Sequence, residues 1–227
     1  MRRFWILSLI TFCLCLPATL FADSVTFVNT NGQLISDAAR TYLSLSGSLL
    51  TGLSGLAPFG VPDQAVVYSA CHATGCLGSV SFMTGTKATG FLFSPSATFN
   101  AGGNITVTGS GFSFTGQFAA GASWTCTPSG ANGCNASGGT WFFNGTVING
   151  TLTVNGKTFS IPTAGTVQIT TSGQPPTGAA GQPLTWTDAG GTTTFPTPVP
   201  EPGSLVLVGG GLVCVGALTR RRRMSAV

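Results

Sequence analysis

Gly145–Thr166 reads GTVINGTLTVNGKTFSIPTAGT. Apolar residues recur at every second position: Leu152 and Val154, then Phe159 and Ile161. A period of two in β-branched and aromatic residues is the mark of a half-buried strand. Asn-Gly pairs punctuate it at 144–145, 149–150 and 155–156. Asn-Gly favours a two-residue type I′ turn, because both central positions of that turn need positive φ. With tight turns at 149–150 and 155–156, the stretch is an up-and-down meander.

The same alternation extends in both directions. Val167 and Ile169 continue it, and Ile105 and Val107 precede Gly109-Ser110-Gly111, with Phe112 and Phe114 beyond. Ser24–Val28 alternates as well. Only Ser36–Leu50 carries some helical potential. Short strands, frequent turns and no charged amphipathic helix predict an all-β fold, a β-sandwich or jelly-roll-like ectodomain over residues 23–170. Gly, Pro and Thr dominate 171–198, which reads as a linker with one strand at Leu184–Thr187. No repeat of fixed period is present.

Charge is sparse. Between Asp23 and Val199 three cations, Arg40, Lys87 and Lys157, face four aspartates, a net of −1. The chain's formal +4 therefore comes from its two ends, and it offers no argument for nucleic-acid binding. The body keeps itself soluble with Ser, Thr, Asn and Gly, while its apolar content suffices for a core.

The ends carry addresses. Arg2 and Arg3 precede an apolar stretch from Phe4 to Leu16, then Pro17 and a small-residue region to Ala22. That order predicts a secretory signal peptide over residues 1–22, cleaved after Ala22 and read by the Sec export machinery. At the other end prolines alternate at Pro196, Pro198, Pro200 and Pro202, which favours an extended polyproline II stub. Ser204–Thr219 is apolar and 16 residues long. As a helix it rises about 24 Å at ~1.5 Å per residue, short for a hydrocarbon core of about 30 Å. Arg220, Arg221, Arg222 and Arg223 follow and fix the orientation, with the C-terminus cytoplasmic and the stub outside.

The order Val199-Pro200-Glu201-Pro202-Gly203, a Gly-interrupted apolar run and an arginine cluster resembles the PEP-CTERM sorting signal of Gram-negative bacteria. That signal is also catalogued as the ice-binding protein C-terminal domain. The resemblance covers residues 199–223. It implies processing by an exosortase, a membrane transpeptidase, after a transient stay in the inner membrane. It also implies delivery to the cell surface or extracellular matrix, often in species that make exopolysaccharide, a further expected partner. A sortase signal would need Leu-Pro-x-Thr-Gly, which is absent, and a GPI signal lacks a basic run after its apolar tail.

Export reframes the cysteines. Cys13 and Cys15 lie in the signal and Cys214 in the apolar run, which leaves Cys71, Cys76, Cys126 and Cys134 for an oxidising compartment. Four cysteines allow three connectivities. The local pairs Cys71–Cys76 and Cys126–Cys134 are favoured, since each encloses a Gly-containing turn. Zinc on these cysteines with His72 is the sharper alternative, but Cys-x4-Cys and Cys-x7-Cys match no structural zinc pattern well.

Catalytic signals are few. His72 is the sole histidine, the aspartates are scattered, and no Gly-x-Ser-x-Gly, Walker or Gly-x-Gly-x-x-Gly sequence occurs. The expectation is a non-enzymatic surface or matrix protein, without cofactor or metal. The alternative is a carbohydrate-binding or adhesin module using exposed aromatics among Trp124, Trp141, Trp186, Tyr42 and Tyr68. Most of these would equally fill a core. The Thr-x-Thr pairs Thr106/Thr108, Thr151/Thr153 and Thr185/Thr187 are irregularly spaced. That spacing argues against a flat repeated array.

Overall fold

The decisive stretch folds into one long strand and a hairpin. In the computed structural model, which describes residues 24–92, 96–128, 134, 139–161, 164–171, 177 and 181–196, Gly139–Val154 is a single 16-residue strand. Numbered in chain order, the strands are β1 (Ser24–Ser36), β2 (Leu43–Ser54), β3 (Gln64–Ala65), β4 (Gly78–Thr84), β5 (Lys87–Gly90), β6 (Ser96–Phe99) and β7 (Gly102–Gly109). After them come β8 (Phe112–Phe118), β9 (Ala122–Pro128), β10 (Gly139–Val154), β11 (Lys157–Ile161), β12 (Gly165–Thr170) and β13 (Thr185–Pro196). A 3-10 turn at Ala57–Phe59 and one short helix, α1 (Tyr68–Thr74), interrupt them.

Only one of the three Asn-Gly pairs makes a hairpin. Asn155 and Gly156 take φ of 49° and 77° and join β10 to β11, with Val154 opposite Lys157. At Asn149-Gly150 the chain does not turn. The register slips by one residue against β8 between Ile148 and Thr151, and Asn149 sits at φ 54°. The pair is a bulge that bends β10 without ending it. Asn144-Gly145 lies mid-strand, where a Cβ on Gly145 would press against the Phe118 ring. The strand continues because it has partners throughout. Its first half pairs with β9 and β12, its second half with β8 and β11.

That double pairing closes the sheet. The order β12-β13-β1-β2-β4-β7-β8-β10 returns to β12 through pairs such as Phe143 with Ile169. The all-β expectation holds, but the sandwich or jelly roll becomes an eight-strand closed antiparallel barrel. Closure removes the edges that a sandwich leaves exposed. Beyond it, β9, β6 and β5 extend as a flap from the first half of β10.

Two further expectations change. Ser36–Leu50 is a strand end, a turn and most of β2. The stretch 171–198, read as a linker with a strand at Leu184–Thr187, supplies the 12-residue β13, paired with β1 on one side and β12 on the other.

Phenylalanines fill the barrel. Phe27 stacks on Phe112 at 5.6 Å and touches Phe195 at 5.5 Å, while Phe82 stacks on Phe143 at 4.9 Å. Trp124, Trp141 and Trp186, from β9, β10 and β13, form a second cluster with centroids 5.1–5.7 Å apart. Among the described residues no helix is long and apolar enough to cross a membrane. The expected signal peptide at 1–22 and apolar span at 204–219 lie outside those residues.

Candidate functional site

Strand alternation that buries one face must expose the other. On the arc formed by β4, β7, β8, β10 and β11, two adjacent rows of outward-facing positions are all hydroxyls. Ser79 faces Thr108, Thr108 faces Ser113, Ser113 faces Thr153, and Thr153 faces Thr158. Two residues along each strand a second row runs beside it: Ser81, Thr106, Thr115, Thr151 and Ser160. None of the ten is buried, and no charged side chain stands in either row. Within the first row Ser79 Oγ lies 2.9 Å from Thr108 Oγ1, and Thr153 Oγ1 lies 3.1 Å from Thr158 Oγ1.

Two of the three Thr-x-Thr pairs thus enter a regular array. Thr106/Thr108 and Thr151/Thr153 are irregularly spaced in the sequence but aligned in space, because register, not sequence distance, sets their positions. Thr185/Thr187 stands elsewhere, on β13. A second, single row of hydroxyls, Thr146, Thr166, Thr194, Thr26 and Ser54, crosses β10, β12, β13, β1 and β2. It ends at a shallow open depression of about 380 Å³ where Thr26, Ser54, Asp63 and Gln64 meet.

The ionisable groups are scattered. Asp37 closes the β1–β2 turn, accepting hydrogen bonds from the Thr41 hydroxyl at 2.7 Å and from the N–H groups of Thr41 and Tyr42. Burial pushes its pKa up, but these hydrogen bonds outweigh burial and hold the carboxyl below its ordinary 3.8. Asp63 Oδ1 accepts from the Gly55 N–H at 2.9 Å. Lys87 sits 5.3 Å over the exposed Phe91 ring. His72 lies in α1, its side chain outside the described residues. Among those residues no three His, Cys, Asp or Glu side chains cluster to hold a metal ion.

The cysteines pair locally, Cys71 with Cys76 and Cys126 with Cys134. The five candidate aromatics do not form a surface platform. Trp124, Trp141 and Trp186 are at most 1% exposed, and Tyr42 and Tyr68 are half-buried. The sorting residues Val199, Pro200, Glu201, Pro202 and Gly203, and the anchor Arg220 to Arg223, lie outside the described residues. The strand leading to them, β13, is described to Pro196.

Residues 198–223 match the family model of the PEP-CTERM protein-sorting motif. The chain carries that sorting motif. The PEP-CTERM motif marks an exported protein sorted through the membrane toward the cell surface, with an exosortase as processing partner. The match begins one residue before the sequence reading placed it and two after β13 ends. No curated protein and no solved structure matches the chain. The rest of the function has to be argued from the barrel itself.

Proposed function

We propose that this protein is a non-enzymatic component of the surface or exopolysaccharide matrix of a Gram-negative bacterium. An exosortase processes it at Pro200-Glu201-Pro202. The observation that carries the reading is the PEP-CTERM match at 198–223. The signal-peptide order at 1–22 supplies export, the apolar run 204–219 a transient span, and Arg220–Arg223 a cytoplasmic anchor. The non-enzymatic part is supported by the described carboxylates. Asp37 and Asp63 are engaged by backbone N–H groups within turns, which commits both to local structure. The carbohydrate-binding alternative built on exposed aromatics is not favoured, because Trp124, Trp141 and Trp186 are buried and Tyr42 and Tyr68 are half-buried.

The test replaces Pro200 and Glu201 together by alanine in the producing cell. The expected outcome is precursor retained in the inner membrane with its arginine tail. Release equal to wild type would remove the Pro-Glu-Pro segment from the recognition step.

A further inference from the structure

The double row of hydroxyls is an unusual surface. A surface designed for solubility carries charge on about 25–35% of its positions, yet the ten row positions across five strands here, six exposed and four half-buried, carry none. Strands lie about 4.8 Å apart and alternate residues about 6.8 Å apart along a strand, so the array covers roughly 19 by 7 Å. The neighbouring row is mixed, with amides at Asn104, Gln117 and Asn149 and exposed apolar side chains at Met83 and Ile148. Asn149 Nδ2 donates to Gln117 Oε1 at 3.1 Å, and Asn104 stands exposed on β7.

We propose that this face binds a neutral, hydroxyl-rich polysaccharide chain. Each hydroxyl donates one hydrogen bond and accepts up to two, and so do the hydroxyls of a sugar ring. The two mutual bonds within the first row leave capacity on every member. Other polymers fit this face poorly. A nucleic acid needs Lys and Arg against its phosphates, and the rows contain neither. A protein interface is anchored by aromatic or Arg residues in desolvated pockets, and the rows contain none. An acidic polymer would give up water around its charges and gain no opposite charge in return.

The twist of the sheet selects among neutral ligands. Adjacent strands rotate by about 20–25°, so five strands accumulate roughly 80–100°. A rigid crystalline plane would touch two or three strands at once. A flexible chain can follow the rows around the barrel, and only it meets all five.

The surface gives the matrix role proposed above a contact, but it is a property of the folded barrel and does not depend on processing. Failure of one reading therefore leaves the other standing. The experiment uses the full chain in detergent micelles. Its probes are dextran, a soluble β-1,3-glucan and a galactomannan as neutral polymers, with alginate as the acidic comparison. Wild type is expected to bind at least one neutral polymer more tightly than alginate. Thr115→Val with Thr151→Val removes two facing hydroxyls from the centre and is expected to weaken that binding about tenfold. Thr115→Ser with Thr151→Ser keeps the hydroxyls and is expected to retain binding. Thr89→Val with Thr98→Val, a facing pair on the flap, is expected to change nothing. The proposal is overturned if no neutral polymer binds, if alginate binds best, or if the serine or flap variants lose as much as the central valine variant.

Discussion

Phe195 stacks on Phe114 with ring centroids 4.3 Å apart and planes 12° from parallel. Phe114 belongs to the middle of the barrel, and Phe195 comes three residues before the sorting motif begins. The strand that seals the barrel thus runs directly into the segment that addresses it. Four Cα steps separate Pro196 from Pro200, so these residues lie at most about 14 Å apart. Body and label are joined without a spacer, and any processing at the motif takes place beside a barrel wall.

Phe195→Ala should therefore destabilise the whole body and not merely loosen its tail. Phe195 is 1% exposed and contacts Phe27 and Phe114. Truncation of such a residue costs about 3–5 kcal/mol, which lowers Tm by roughly 6–20 °C at this size. Trp124, Trp141 and Trp186 form one cluster, so tryptophan fluorescence reports the melt. A chain ended at residue 170 should show no cooperative transition at all.

The three Asn-Gly pairs should respond differently to substitution. Replacing Gly156, at φ 77° in the hairpin turn, with alanine forces an L-residue into the left-handed region at about 1–2 kcal/mol. Asn144→Ala, at an extended mid-strand position exposed to solvent, should change stability by less than about 0.5 kcal/mol. Urea unfolding of both variants makes the comparison. Equal losses would contradict the assignment of one pair to a turn and the other to a strand.

The two disulfides close short loops, with sequence separations of 5 and 8. Chain entropy assigns each about 2–2.5 kcal/mol. Removing Cys126 and Cys134 together should lower the unfolding midpoint by a corresponding amount. Non-reducing peptide mapping of wild type should recover Cys71–Cys76 and Cys126–Cys134 peptides. Four free thiols, or crossed pairs, would contradict the structure.

Asp37 gives the body an acid-side dependence. Its folded pKa is depressed by the Thr41 and Tyr42 hydrogen bonds, so the folded state favours the ionised form. That stabilisation is complete above the ordinary carboxyl value of 3.8 and is lost as pH falls from there through the lower folded value. Melting curves from pH 6 to pH 2 should converge for wild type and Asp37→Asn at the acid end. Wild type should be the more stable above pH 4.

Much of this was legible in the residues. Alternation at Ile105, Val107, Phe112, Phe114, Leu152 and Val154 gave the strands, since each of these positions is buried. The local cysteine pairs, favoured for their Gly-containing turns among three possible connectivities, are the ones formed, and the tail was legible from its motif. Barrel closure was not legible, because it depends on β10 being long enough to hold two partners on each side. Alternation looks the same in a sandwich and in a barrel. Strand β13 was hidden by its composition. Gly191 looks like a linker residue, yet a Cβ there would collide with the Gln168 carbonyl of β12, so close strand approach demands glycine. The hydroxyl rows were hidden for a related reason: four strand registers must be known before Ser79 and Thr158 fall on one line.

The central claim is that the PEP-CTERM motif is a delivery label removed on the way to the surface. Intact mass of the protein recovered from the outside of the cell tests it most directly. The account predicts a species that has lost residues 1–22 and everything C-terminal to the Pro200–Pro202 region, including Arg220–Arg223, while retaining β13. A surface species that still carries the four arginines would contradict it.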